Sequence, residues 1–137
     1  MNCKTPSKLE KILAAGHIAV TSECGPPRGS NIEHVVHKAN LIKEHVDAIN
    51  ITDNQTSVTR LCSLAACINL KLMGLEPVLQ MVTRDRNRLA IQSDILGAAA
   101  FDITRCAKET LRFMQRGRIK PAGQGTAGRC HNQVMRS

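Results

Sequence analysis

This sequence predicts an α/β fold built on a parallel sheet: an incomplete (βα) TIM-type barrel of about three strand-then-helix units. Three observations carry the prediction. Short runs with a two-residue apolar period, at 17–24, 46–52 and 77–83, take turns with helical patterns near 32–42, 56–73 and 95–101. Regular alternation of this kind argues parallel strands joined by right-handed crossovers. Each strand also has a bulkier aliphatic face and a second face that carries a polar side chain near its carboxyl end, namely Glu23, Thr52 or Gln80. In a parallel barrel that second face points inward, and the three side chains would meet at the mouth where catalytic groups gather. A doubly wound sheet is covered by helices on both faces and would give no such sidedness.

Taken in order, Ser7 can cap a short helix over 8–15 that stops at Gly16. The first strand follows, with Ile18, Val20 and Ser22 on one face and Ala19, Thr21 and Glu23 on the other. Gly25-Pro26-Pro27-Arg28-Gly29 can extend neither a strand nor a helix. Asn31 can cap a helix with Ile32, Val35, Val36, Ala39 and Ile42 on one stripe. The second strand sets Ile49 and Ile51 against Ala48, Asn50 and Thr52, then ends in Asp53-Asn54-Gln55. Polar groups at the carboxyl tip of a strand are where α/β folds place ligands, although a capped turn uses the same residues. A helix is expected from about Thr56 to Met73, ended by Gly74. The third strand places Leu79 and Met81 opposite Val78, Gln80 and Val82. The charged run from Arg84 through Asp85 to Arg88 then leads into a helix through Ile95 and Leu96 to about Phe101.

Composition narrows the function. Of the 137 residues only two, Phe101 and Phe113, are aromatic, so the core must be aliphatic. No apolar run approaches the roughly 20 residues of a membrane span, and the first residues lack the apolar stretch of a signal peptide. The formal charge of +8 is uneven: residues 1–103 carry +1 and residues 104–137 carry +7. A basic tail can bind phosphate non-specifically, but no base-stacking aromatics accompany it, so specific nucleic-acid recognition is not expected. The six cysteines form no Cys-x-x-Cys pair. Cys62 and Cys67 fall in a helical pattern and read as small buried residues. His34 and His37 share a helix face, with no third ligand placed, and read as a solvated pair. Reduced thiols, no metal site and a cytoplasmic location are the expectation.

Three motifs in order carry a family resemblance. They are Val20-Thr21-Ser22-Glu23-Cys24-Gly25-Pro26-Pro27, then Val46-Asp47-Ala48-Ile49-Asn50-Ile51-Thr52-Asp53-Asn54-Gln55, then Thr83-Arg84-Asp85-Arg86-Asn87-Arg88 with Gln92-Ser93-Asp94. Together, over about residues 7–103, they resemble methylenetetrahydrofolate reductase, above all its shorter bacterial forms. The resemblance implies a βα-barrel with FAD, reduced by NADH or NADPH or another donor, that reduces 5,10-methylenetetrahydrofolate to 5-methyltetrahydrofolate. Glu23 matches the family's catalytic acid in Glu-x-x-Pro-Pro and would assist opening of the folate's five-membered ring. That role asks for a protonated carboxyl, favoured by burial or by neighbours. Thr52, Asp53, Gln55 and Gln80 match positions that contact flavin or nicotinamide. Gln80 stands where better-studied members carry His. Asp85 matches an Asp with a structural or site-shaping role.

After Ile103 the resemblance stops. The family's next strand ends near a Gly-Asp, whereas this sequence continues Thr104-Arg105-Cys106-Ala107-Lys108-Glu109. A βα barrel takes eight strands and about 250 residues. The sequence reading is therefore residues 1–103 as the front of a barrel and 104–137 as a helical or disordered basic tail, in a truncated or frameshifted form. A homo-oligomer or a partner subunit would supply what three strands lack. The alternatives are a non-catalytic half-barrel and a binding module that works through its basic tail.

Overall fold

The computed structural model describes residues 7–106. Helix α1 (Lys8–Ala14) precedes β1 (Thr21–Cys24), α2 (Glu33–Ile42), β2 (Ala48–Ile51), a 3-10 turn (Gln55–Ser57), α3 (Ser63–Leu72), β3 (Pro77–Leu79) and α4 (Arg88–Ala100). The three strands form one parallel sheet in the order β1-β2-β3. An α/β fold with a parallel sheet is thus present, and three parallel strands with their helices are compatible with an incomplete βα arrangement.

The caps explain most helix starts. Ser7 Oγ accepts the Glu10 amide at 3.1 Å, and Asn87 Oδ1 accepts the Ala90 amide at 2.9 Å. Asn31 Oδ1, two residues before α2 and with Ile32 between, accepts the Glu33 amide at 2.9 Å. Each such bond satisfies an amide that has no partner inside its own helix. Gly16 and Gly74 close the turns after α1 and α3 at φ +79° and +78°, a region costly for residues with a Cβ.

The core lies between the sheet and the helices. Cys24, Ile49, Ile51, Leu79 and Met81 face Val35, Ala39, Ala66, Cys67, Leu70, Ile91, Ile95 and Ala98. This is the aliphatic face that the two-residue period assigned to the helices. The first strand departs from expectation, since pairing begins only at Thr21 and leaves Ile18 92% and Val20 52% exposed. At Val20 an Asp47 side chain replaces a ladder partner: Asp47 Oδ2 accepts the Val20 amide at 2.9 Å, and the Asp47 amide donates to Val20 O at 2.7 Å.

The helix expected from about Thr56 begins instead at Ser63. Thr56 and Ser57 sit at φ +59° and +57°, which no α-helix of L-residues continues. Cys62, expected to be buried, is exposed and caps α3, its Sγ accepting the Ala65 amide at 3.3 Å. Past Ile103 the described chain stays on the sheet. Leu79 bridges Cys106 in parallel, and the Leu79 amide donates to Arg105 O at 2.9 Å. Arg105 is anchored below by Ser7 Oγ at 3.1 Å and Glu10 Oε2 at 2.9 Å. The basic tail from residue 107 onward lies outside the described residues.

Two buried thiols make the fold sensitive to alkali. Burial pushes the Cys67 thiol far above its ordinary value and pushes Cys24 up as well, against a smaller opposing pull from Lys38. In the unfolded chain these thiols ionise first, so that state loses protons while the folded state keeps them. The thiols' contribution to stability is then constant below their ordinary value and falls as pH rises beyond it. Urea midpoints measured from pH 7 to 10.5 should bend downward above that point, and less so in a Cys67→Ala variant compared with its own value at pH 7.

Candidate functional site

The register decides which side chains meet. Glu23 pairs with Asn50 and Cys24 with Ile51, while Asn50 pairs with Val78 and Ile51 with Leu79. Thr52 lies two residues beyond Asn50, and Gln80 two beyond Val78. Side chains alternate along a strand, so Glu23, Thr52 and Gln80 share the face opposite the helix-packed core, at the carboxyl end of the sheet. The pairing continues past the strand ends: the Thr52 amide donates to Cys24 O at 3.3 Å and the Gln80 amide to Ile51 O at 3.2 Å.

Glu23 and Gln55 are in direct contact. Gln55 Nε2 donates to Glu23 Oε1 at 2.8 Å, across 32 residues of sequence. Both residues are exposed, so the burial expected for an acid at position 23 is not met by the described residues. Thr52 is 2% exposed, and its Oγ1 has no hydrogen-bond partner among the described residues. A buried hydroxyl left in that state is costly. A Cβ placed on Gly25 would sit 3.4 Å from Thr52 Oγ1 and 3.5 Å from Gln55 Oε1, so both polar atoms border the backbone of the first loop.

Asp53 has a different setting. Its carboxylate is fully buried, accepts the Val82 amide at 2.8 Å, and is gripped by Arg86 through both Nη1 and Nη2. Arg86 also donates to Val82 O at 3.1 Å and pairs with Asp94 at 3.3 Å. The Asp53 hydrogen bond is the main reason the Arg86 guanidinium holds its proton even more firmly than usual. Asp53 therefore ties the tip of β2 to the turn after β3 and to α4, with its carboxylate directed at protein partners. Asp85 is exposed and paired with Arg84 at 2.8–2.9 Å, and that hydrogen bond holds its carboxyl below the ordinary range.

The loops that carry Glu23 and Gln55 are stitched together. Arg60 Nη1 donates to Pro26 O at 3.1 Å and the Leu61 amide to Pro27 O at 2.8 Å. Asn54 Oδ1 accepts the Arg60 amide at 3.0 Å. Within this turn Asn54, Thr56 and Ser57 all adopt positive φ. Non-glycine residues held there cost about 1–3 kcal/mol each, and such strain collects at functional sites. Sequence reasoning missed the turn because it ran the helix through it. The β-branched, polar run Thr56-Ser57-Val58-Thr59 was the available signal.

A cavity of about 330 Å³ opens beside these tips, lined by Asp53, Gln55, Gln80, Met81, Val82, Thr83 and Arg84. Three of the four residues matched to cofactor contacts, Asp53, Gln55 and Gln80, line it. The fourth, Thr52, does not line it, and its hydroxyl is buried. His34 and His37 are exposed, and among the described residues no group of His, Cys, Asp and Glu could hold a metal ion. Among the described residues no helix is long and apolar enough to cross a membrane. Compared with known proteins, the chain matches no family model, no curated protein and no solved structure.

Proposed function

We propose that this chain carries the acid-bearing wall of a flavin site that reduces 5,10-methylenetetrahydrofolate to 5-methyltetrahydrofolate. The observation that carries the reading is the common face of Glu23, Thr52 and Gln80 at the carboxyl tips of parallel strands, where this chemistry would be performed. The order of the three motifs supplies its content. FAD, when bound, would supply the hydride, with NADH or NADPH as donor. Thr52, Gln55 and Gln80 would hold the flavin's polar edge, while Asp53 fixes the wall through Arg86. Glu23 would give its proton to the folate ring nitrogen as the ring opens.

A second reading, a half-barrel completed by another copy or a partner subunit, is favoured by the free outer edge of β1. Among the described residues β1 pairs only with β2, and the exposed Ile18 and Val20 precede it. Free strand edges of this kind invite pairing with another chain. One experiment separates the two readings. The purified full chain is titrated with FAD, scanned for flavin absorbance and assayed for oxidation of NADH or NADPH with 5,10-methylenetetrahydrofolate, while its mass is read by sedimentation. Stoichiometric flavin with folate-dependent turnover supports the reductase. A colourless, inactive protein of defined oligomeric mass supports the half-barrel and sinks the first reading.

A further inference from the structure

We propose that Gln55 is the positioning residue for Glu23, holding one carboxyl oxygen so that the other presents the transferable proton. This rests on the reductase reading and gives Gln55 a role beyond the cofactor contact that the resemblance implies. The contact is Gln55 Nε2 to Glu23 Oε1 at 2.8 Å. Among the described residues no other side chain holds Glu23, which stands exposed near the end of an edge strand. A carboxyl in that position would otherwise sample several rotamers, and proton transfer asks for a defined one.

The backbone around Gln55 is built to deliver its amide. Asn54, Thr56 and Ser57 flank it at φ +42°, +59° and +57°, a tight reversal that turns the chain back toward β1. The Ser57 amide donates to Asn54 O at 3.2 Å and the Val58 amide to Gln55 O at 3.3 Å, closing the turn on itself. Arg60 and Leu61 then fasten the same segment to Pro26 and Pro27, the loop that leaves β1 directly after Glu23 and Cys24. The carboxamide lies against the same loop, its Oε1 3.5 Å from where a Cβ on Gly25 would be, an ordinary contact distance. Acid and amide thus ride on one locked pair of loops.

The chemistry follows from which atoms are taken. Gln55 donates an N–H to Oε1, which leaves Oε2 as the oxygen that would carry the proton delivered to substrate. As the folate ring opens, that proton passes from Oε2 to the ring nitrogen. The C–N bonding pair stays on that nitrogen, and the methylene carbon is left cationic to receive hydride. Glu23 becomes a carboxylate with Oε1 still held by the amide.

The test replaces Gln55 by methionine, which keeps length and flexibility but removes the donor. Relative to the parent chain, kcat for folate reduction should fall about 10- to 100-fold while KM stays within about threefold. With FAD held saturating, so that a weakened flavin contact does not enter kcat, the same replacement in a Glu23→Gln background should change kcat by less than about twofold, because the group it positions is already gone. A structural role would instead lower activity equally in both backgrounds. An active protein in which Gln55→Met leaves kcat unchanged, or costs the same in both backgrounds, overturns this inference alone. A chain with neither flavin nor turnover overturns it together with the reductase reading.

Discussion

Replacing Arg86 by methionine is expected to lower the unfolding free energy by about 3–5 kcal/mol, the usual cost of stripping the partner from a buried charge. The Asp53 carboxylate is completely buried, and Arg86 is only 16% exposed. Without the guanidinium, the carboxylate keeps a single strong donor, the Val82 amide at 2.8 Å. The reverse substitution should be milder. With Asp53→Asn, an amide oxygen can still accept from Val82, and Arg86 retains Asp94 at 3.3 Å. Urea unfolding should therefore rank Arg86→Met well below Asp53→Asn, with unchanged slopes in denaturant. Equal losses, or a loss under 1 kcal/mol for Arg86→Met, would show that the pair is no keystone between β2 and the turn after β3. Since Asp53, Val82 and Arg84 line the cavity, the same variant should also loosen any ligand held there.

Under the proposed function, Glu23→Gln should reduce folate turnover by about 10²- to 10⁴-fold, the range a well-placed general acid supplies. That corresponds to about 3–5 kcal/mol on the barrier. Flavin affinity and its reduction by the nicotinamide donor should persist, because Glu23 does not itself line the cavity and a glutamine there can still accept from Gln55. Glu33→Gln, at an exposed carboxylate in the first turn of α2, serves as the matched control and should retain full turnover. A Glu23→Gln enzyme that kept the parental rate would remove the acid from this mechanism.

Much of the fold was legible in the residues because strand and helix periods are local. Ile49 with Ile51, and Leu79 with Met81, marked the buried face before any neighbour was known, and all four are buried. Ser7 accepts the Glu10 amide because its side chain reaches only three residues along, whereas Asn87, which caps α4, lies in what the sequence presents only as part of a charged loop. The strand parities of Glu23, Thr52 and Gln80 came from the same alternation. What failed was also local in origin. A periodic apolar pattern continues backward through Val58 and Leu61, so it hid the left-handed turn that delays α3 to Ser63. Ile18 and Val20 look like core residues by period alone, yet no described element covers them.

Alternation along the chain determined three parallel-type strands, their aliphatic and polar faces, and an acid, a hydroxyl and an amide near their tips. Those are properties of neighbours one or two residues apart, and short-range sterics set them. Tertiary structure alone decided that Gln55 reaches back to Glu23, that Asp53 turns inward to Arg86, and that Thr52 keeps an unsatisfied hydroxyl. Each of these depends on groups roughly 30 residues apart meeting at about 3 Å or missing one another. Only strand register and loop closure, which no local period encodes, bring that about.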